Sequence, residues 1–131
     1  FTIFTPLHNG AKTIHRVFNS LKNSTYSNFE WIVVNDGSTD DSLKVLEYIS
    51  KKHGFIKVLT QENKGSGKAR NYGIAKSSGE FLCFVDSDDT ILPEMYEHMY
   101  KLAITNELGL LIVIFIVSGT KLISSRESID E

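Results

Sequence analysis

Apolar and β-branched residues come along this chain in short runs, and each run is followed by a stretch whose apolar positions repeat at helical spacing. The runs are Phe1–Thr5, Trp31–Val34, Ile56–Thr60, Phe81–Val85 and Leu110–Val117. They lack clean polar alternation, which predicts five strands buried on both faces. Ile14, Val17, Phe18 and Leu21 fall on one stripe of a helix that ends in the polar cluster 23–28. Leu43, Leu46 and Ile49 mark a second helix, with Ser38, Thr39 or Asp40 as its N-cap and Gly54 as its terminator. A third is predicted from about Ser66 to Lys76, stopping near Gly79. Pro93 suits the first turn of a fourth that packs through Met95, Met99 and Leu102. Strand and helix alternating in this way, with right-handed crossovers, give a parallel sheet with helices on both faces.

Open sheets of this kind bind ligands in the crevice beyond the carboxyl ends of their strands, which makes the residues just after each run the place to look for chemistry. They are polar. The first run leads to Pro6, His8 and Asn9, the second to Asn35 and Asp36, the third to Gln61, Glu62 and Asn63, and the fourth to Asp86, Asp88 and Asp89. Four loops therefore bring acceptors and carboxylates to one edge.

The three acids of Asp86-Ser87-Asp88-Asp89 repel one another, and a hard divalent cation, Mg²⁺ or Mn²⁺, takes such oxygen ligands together with a substrate phosphate. An acidic turn and helix cap before Pro93 is the alternative. Asp36, where the second run ends, could accept from a base imide or a ribose hydroxyl, and Gly37 lets the backbone turn sharply. Asp-Gly-Ser is also a common turn. The stretch 63–71 is glycine-rich and basic, but the Walker pattern fails at Glu62 and Ala69, and the dinucleotide pattern fails at Arg70. What remains is a loop of backbone N–H groups at a helix start, with Lys64, Lys68 and Arg70 near it; Arg70, one turn in, is the better anion contact.

Composition narrows the classes. Hydrophobic residues are 41% of the 131-residue chain and charged residues 23%, which excludes collagen-like, disulfide-scaffold and strongly disordered proteins. A net charge of −2 supplies no global basic field for nucleic acid or an anionic membrane, so an anionic ligand has to be held locally. Cys83, the single cysteine, sits in an apolar run with no disulfide or zinc partner and reads as a buried thiol in a reducing compartment. The longest apolar stretch, Leu110–Val117, falls short of the ~20 residues that span a bilayer as a helix. The histidines show no metal-ligand spacing, and only His8 lies on the polar edge. The chain opens on Phe1 inside a strand-like run, so the natural N-terminus is expected upstream.

Taken in order, Thr5-Pro6-Leu7-His8-Asn9, the stretch 30–41 around Asp36-Gly37-Ser38-Thr39-Asp40, the stretch 63–74 and Val85-Asp86-Ser87-Asp88-Asp89 resemble the family 2 glycosyltransferases and their Rossmann-like GT-A fold, over about Thr2 to Ala103. The resemblance implies one such domain over residues 1–131, truncated or lacking C-terminal segments. It implies that Thr5, Pro6, Asp36 and Arg70 surround a nucleotide base, that Asp86 lies near the ribose, and that Asp88 holds the Mn²⁺ or Mg²⁺ bridging the diphosphate, Asp86-Ser87-Asp88 matching the family's Asp-x-Asp motif. The implied reaction is metal-assisted transfer of a sugar, with inversion, from a nucleoside diphosphate donor, UDP by resemblance, to a glycan, lipid or protein hydroxyl. The resemblance places such proteins in the cytoplasm, some of them peripherally at the inner face of a membrane, and implies no nucleic acid partner.

Two departures stand out. His8 occupies a position where the family usually has tyrosine, and no acid among Glu127, Asp130 and Glu131 is marked as the catalytic base. Two rival readings remain. The chain could be a non-catalytic nucleotide- or partner-binding module of the same fold. Asp86-x-Asp88-x-Thr90 after an apolar strand also resembles the first motif of haloacid dehalogenase-type phosphatases, although that motif normally opens its domain.

Overall fold

The computed structural model of the protein describes residues 1–105, 112–118 and 121–127. Two compact units divide the chain, Phe1–Pro93 and Glu94–Glu131.

The first unit alternates strand and helix as its apolar spacing predicts: β1 (Thr2–Leu7), α1 (Ile14–Lys22), β2 (Glu30–Asp36), α2 (Ser42–Lys52), β3 (Ile56–Gln61), α3 (Ser66–Ala75) and β4 (Leu82–Phe84). The four strands are all parallel and lie in the order β3-β2-β1-β4, with Thr2 level with Glu30 on one side and with Leu82 on the other. The two central strands carry the core. Ile3, Trp31, Ile32, Val33 and Val34 are wholly buried, as strands covered on both faces require. The edge strands depart from that expectation. Along β4 only Cys83 is buried, while Leu82 and Phe84 stay 42% and 50% exposed, and β3 is buried fully at Ile56 alone. An edge strand has one neighbour instead of two, so apolar composition there does not translate into full burial.

The helices follow their stripes. Ile14, Val17, Phe18 and Leu21 of α1 are all buried. In α2, Leu46 and Ile49 are buried and Leu43 is half-buried. The capping of α2 comes from Asp40, whose carboxylate accepts the Ser42 N–H at 2.9 Å from a position one residue before the cap residue Asp41. The short residues of α3 let it sit close to the sheet. Ala69 and Gly73 are its buried positions, and a Cβ added at Gly73 would run into the Phe4 ring of β1. Phe4, Ile32, Val34 and Ala69 form the cluster beneath, with Leu59 and Tyr72 against it.

The second unit holds α4 (Met95–Thr105) and an antiparallel pair, β5 (Ile112–Ser118) and β6 (Lys121–Glu127), with Ile112 opposite Glu127 and Ser118 opposite Lys121. In α4 the buried residues are Tyr96 and Ala103, one residue round from the predicted stripe, and Met95, Met99 and Leu102 are half-buried. The last apolar run, predicted as a fifth strand of the parallel sheet, pairs instead with β6 in a sheet of its own. Only two residues separate β5 from β6, too few for the crossover a parallel pair needs and enough for a hairpin. Among the described residues, no helix is long and apolar enough to cross a membrane.

Candidate functional site

The strand order fixes where a ligand would sit. From β1 the chain steps to β2 and β3 on one side, then returns to place β4 on the other, so the order reverses between β1 and β4. The crevice beyond the carboxyl ends of strands at such a reversal is where open α/β sheets bind ligands. Pro6, His8, Asp36, Gln61 and the acids 86–89 all stand at that end.

Asp36 closes β2, and its carboxylate is already engaged. Oδ1 accepts from Gln61 Nε2 and from the Lys64 N–H, both at 2.8 Å, and Oδ2 accepts from the Gly65 N–H at 3.0 Å. The Lys64 N–H, then Gln61 and Gly65, hold this buried carboxyl below the usual carboxylate range against the opposing effect of burial. A carboxylate offers about four acceptor positions, so roughly one is left for a ligand. Gly37 follows with φ of 64°, and a Cβ there would lie 2.6 Å from the Asn63 nitrogen. The glycine allows the β2 and β3 loops to touch.

Neighbouring contacts tie the loop after β1 to the loop after β2. The Asn9 side-chain oxygen accepts the N–H groups of Thr39 at 2.8 Å and Asp40 at 3.2 Å, while the Asn9 N–H donates to Ser38 Oγ at 3.0 Å. The Gly10 N–H donates to Ser42 Oγ at 2.9 Å, and the Ala11 N–H to Asp40 Oδ2 at 3.1 Å. Asn9 takes a positive φ of 51°, which asparagine tolerates better than most residues. His8 Nδ1 lies 2.9 Å from the Asp36 carbonyl oxygen. A carbonyl can only accept, so Nδ1 carries the hydrogen and Nε2 has its lone pair free for the Asn9 amide at 3.4 Å.

On the other side of the reversal, carboxylate oxygens of Asp86, Asp88 and Asp89 all lie within 4.8 Å of one another, and all three residues are exposed. No lysine or arginine forms an ion pair with them among the described residues. Burial, then repulsion from Asp88 and Asp86, pushes the Asp89 carboxyl up. Three uncompensated oxygen donors at this spacing fit a hard divalent cation. Arg70 reaches the same strand, its guanidinium 5.1 Å from the centre of the ring of Phe84, which lies two residues before Asp86 in sequence.

The sequence candidates thus fall into two groups. Asp36 is built into the loops on the β2 and β3 side. Asp86, Asp88 and, through Phe84, Arg70 belong to the β4 side. Pro6 is half-buried at the end of β1 between them. Thr5 is fully buried, and its hydroxyl accepts the Trp31 indole N–H at 2.9 Å, so its side chain belongs to the core. The clamp formed by Asn9 and Asp40 escaped the sequence reading, although an Asn-Gly pair facing a Ser-Thr-Asp run is the composition such a clamp uses. Glu127 ends β6, and Asp130 and Glu131 lie outside the described residues. A separate open hollow of about 450 Å³ lies on the β3 side, walled by Thr60, Gln61, Glu62, Lys64, Lys68 and Tyr72, and contains none of the three clustered acids.

Comparison with known proteins gives this geometry a family. The uncharacterised glycosyltransferase YibD of Escherichia coli K12 is 35% identical over 107 residues, 82% of this chain and 31% of YibD. The putative glycosyltransferase EpsH of Bacillus subtilis 168 is 41% identical over 102 residues, 78% of this chain and 30% of EpsH. The chain therefore spans about a third of the length of these curated relatives. Among solved structures, Staphylococcus aureus TarS superposes with a TM-score of 0.77 at 33% identity, over 86% of this chain and 20% of TarS. TarS 1–349 in complex with UDP-GlcNAc gives 0.76 at 34% identity, over 82% and 32%. The model of the family described as glycosyl transferase family 2 matches residues 2–129, and with the parallel sheet and its acidic edge in place, the chain belongs to that family.

Proposed function

We propose that this chain is the donor-binding part of a glycosyltransferase that moves a sugar from a nucleoside diphosphate, a UDP-sugar, to an acceptor hydroxyl with inversion at the anomeric carbon. The observation that carries the reading is the trio of carboxylates within 4.8 Å at the sheet's order reversal, in a chain similar to TarS, which has been solved with UDP and with UDP-GlcNAc. Asp88, with Asp86 and Asp89 beside it, would hold Mn²⁺ or Mg²⁺. A cation there supplies Lewis-acid neutralisation of the charge on the departing diphosphate.

The remaining work falls to the chain's own groups. Asp36 has roughly one acceptor position left to take a hydrogen from the base, and its three loop contacts hold that position still. Arg70, lying over Phe84, offers a guanidinium to the anionic side of the donor. Pro6 and His8 form the wall between the two groups, with the His8 ring fixed through Asp36. Asp86 faces the ribose in this reading. Thr5 contributes by holding Trp31 beneath the site. Fixing the donor in one geometry lowers the entropic part of the barrier. The acceptor is a hydroxyl of a glycan, lipid or protein, and no acid of this chain is assigned as the base that deprotonates it.

Titration calorimetry with UDP tests the reading. Binding should be weak without metal and tighten with Mn²⁺, and UDP should outcompete other nucleoside diphosphates. Asp88→Asn should remove most of the metal-dependent gain, at least about tenfold in affinity, since even partners one shell out from a metal are worth that much. Nucleotide binding that ignores both the metal and Asp88 would sink it.

A further inference from the structure

The end of the sheet opposite the acids has a composition of its own. Each of the four parallel strands is immediately preceded by a phenylalanine: Phe1, Phe29, Phe55 and Phe81. Parallel register sets Phe1 level with Phe29 and Phe81 and puts Phe55 one residue further along, level with Glu30, and all four phenylalanines are half-buried. Phe29 and Phe55 meet edge to face at 5.4 Å, and Phe1 lies 5.6 Å from Phe81. With strands about 4.8 Å apart, the two pairs of rings together span roughly 15 Å of the sheet's amino edge.

Helices that cross back over a parallel sheet end at the same edge as the strands begin. The last turns of α1 and α2 carry Lys22, Lys51 and Lys52, and Lys76 follows α3 directly; all four are exposed. Lys57, also exposed, is the second residue of β3. Against these stand Glu80 and Glu30, and Glu30 is occupied by Thr2 Oγ1 and the Ser78 N–H, both at 2.7 Å. The small net charge therefore conceals a local basic excess beside the rings at the amino edge, whereas at the carboxyl edge the acids are mixed with Lys44, Lys64, Lys68 and Arg70.

We propose that this amino edge docks on a bilayer surface containing anionic phospholipids. Lysines around an apolar strip are the arrangement by which peripheral proteins combine attraction to anionic headgroups with shallow insertion of rings. Nucleic acid is the poorer fit. The rings pack against one another and against Phe18, which stacks on Phe55 at 6.2 Å, so their faces are not presented for base stacking. β1 is six residues long, so docking leaves the acidic edge about 20 Å from the lipid and open to solvent. The proposal is independent of the donor-site reading.

Sedimentation of the chain with vesicles tests it. Equimolar phosphatidylcholine and phosphatidylglycerol vesicles should pellet the protein, pure phosphatidylcholine vesicles should not, and added salt should release it. Lys22→Glu, Lys51→Glu and Lys76→Glu should each lower the partition coefficient about fivefold or more. Lys44→Glu makes the same change in net charge at the start of α2, by the carboxyl edge, and should have no effect. Binding equal on neutral and anionic vesicles, binding unchanged by the three reversals, or binding reduced as much by Lys44→Glu would each overturn the proposal. So would displacement from the vesicles by an oligonucleotide at matched charge, which makes the edge a general polyanion surface, or loss of monomer at the vesicle-free concentration used, which makes it a contact between copies.

Discussion

Asp36 shows how one side chain can be read correctly in position and incompletely in duty. Its place at the end of β2 is legible, because a β-branched run stops there and a glycine follows. Its partners are not legible: Gln61, Lys64 and Gly65 come from another strand and loop, 25 to 29 residues away. Three hydrogen bonds hold its carboxyl low. The Ser42 hydroxyl, ahead of the Ser42 and Ala11 N–H groups, does the same for Asp40 against burial. At Glu30 burial pushes up but is outweighed by Thr2, Ser78 and the nearby Lys57. A carboxyl depressed in the folded state stabilises it fully above its unfolded pKa and loses that contribution as pH falls through the folded value. Stability should therefore hold above about pH 5 and fall toward pH 2. Asp36→Asn, which sets an amide against backbone donors, should cost about 1–3 kcal/mol at neutral pH and leave a shallower acid decline. Urea titrations of both proteins across that range check it, and parallel declines would refute the role given to Asp36. Cys83 is the opposite case: burial pushes its thiol up to about 12, in keeping with the inert buried thiol its apolar run suggested.

At the level of elements, the helical stripes of α1 and α2 could be read because apolar side chains at helical spacing have one way to face a sheet. The contact of α3 could not, because it is made by the smallest residues of the helix. Gly73 lies against the Phe4 ring with no room for a methyl group. Alanine is the better helix former by about 1 kcal/mol, so Gly73→Ala would stabilise an isolated helix. In this protein it should instead cost about 1–2 kcal/mol net, because overpacking a well-filled interface costs more than the propensity returns. Placing Gly73→Ala in a Phe4→Leu background should reverse the sign, and a thermal or urea double-mutant cycle measures the coupling. Additivity of the two changes would mean that the helix stands off the strand. The last apolar run is a strand, as its composition predicts, but joins a different sheet for a related reason. Its composition fits a strand in either sheet, and the choice was made by the two-residue spacing to β6, a segment whose polar sequence carries little strand signal.

For the molecule as a whole, alternation of strands and helices was enough to read a parallel sheet with polar loops at one end, whereas the order β3-β2-β1-β4 was not, since nothing local says on which side of β1 the fourth strand will settle. That order has a consequence in time. Thr2 reaches Glu30 across 28 residues but Gly79 across 77, so joining β4 to β1 costs about 1 kcal/mol more in loop closure than joining β2 to β1. The Asp36 half of the candidate site can assemble from early, nearby pairings, and the acidic half is added late. Cys83→Ala in β4 should accordingly speed unfolding with little change in refolding rate, while Ile32→Val in β2 slows refolding; equal effects on refolding would contradict this order. On a ribosome, β1 to β3 emerge well before the fourth strand, and β1 spends that interval with one flank unpaired, at the position where the acids will later stand.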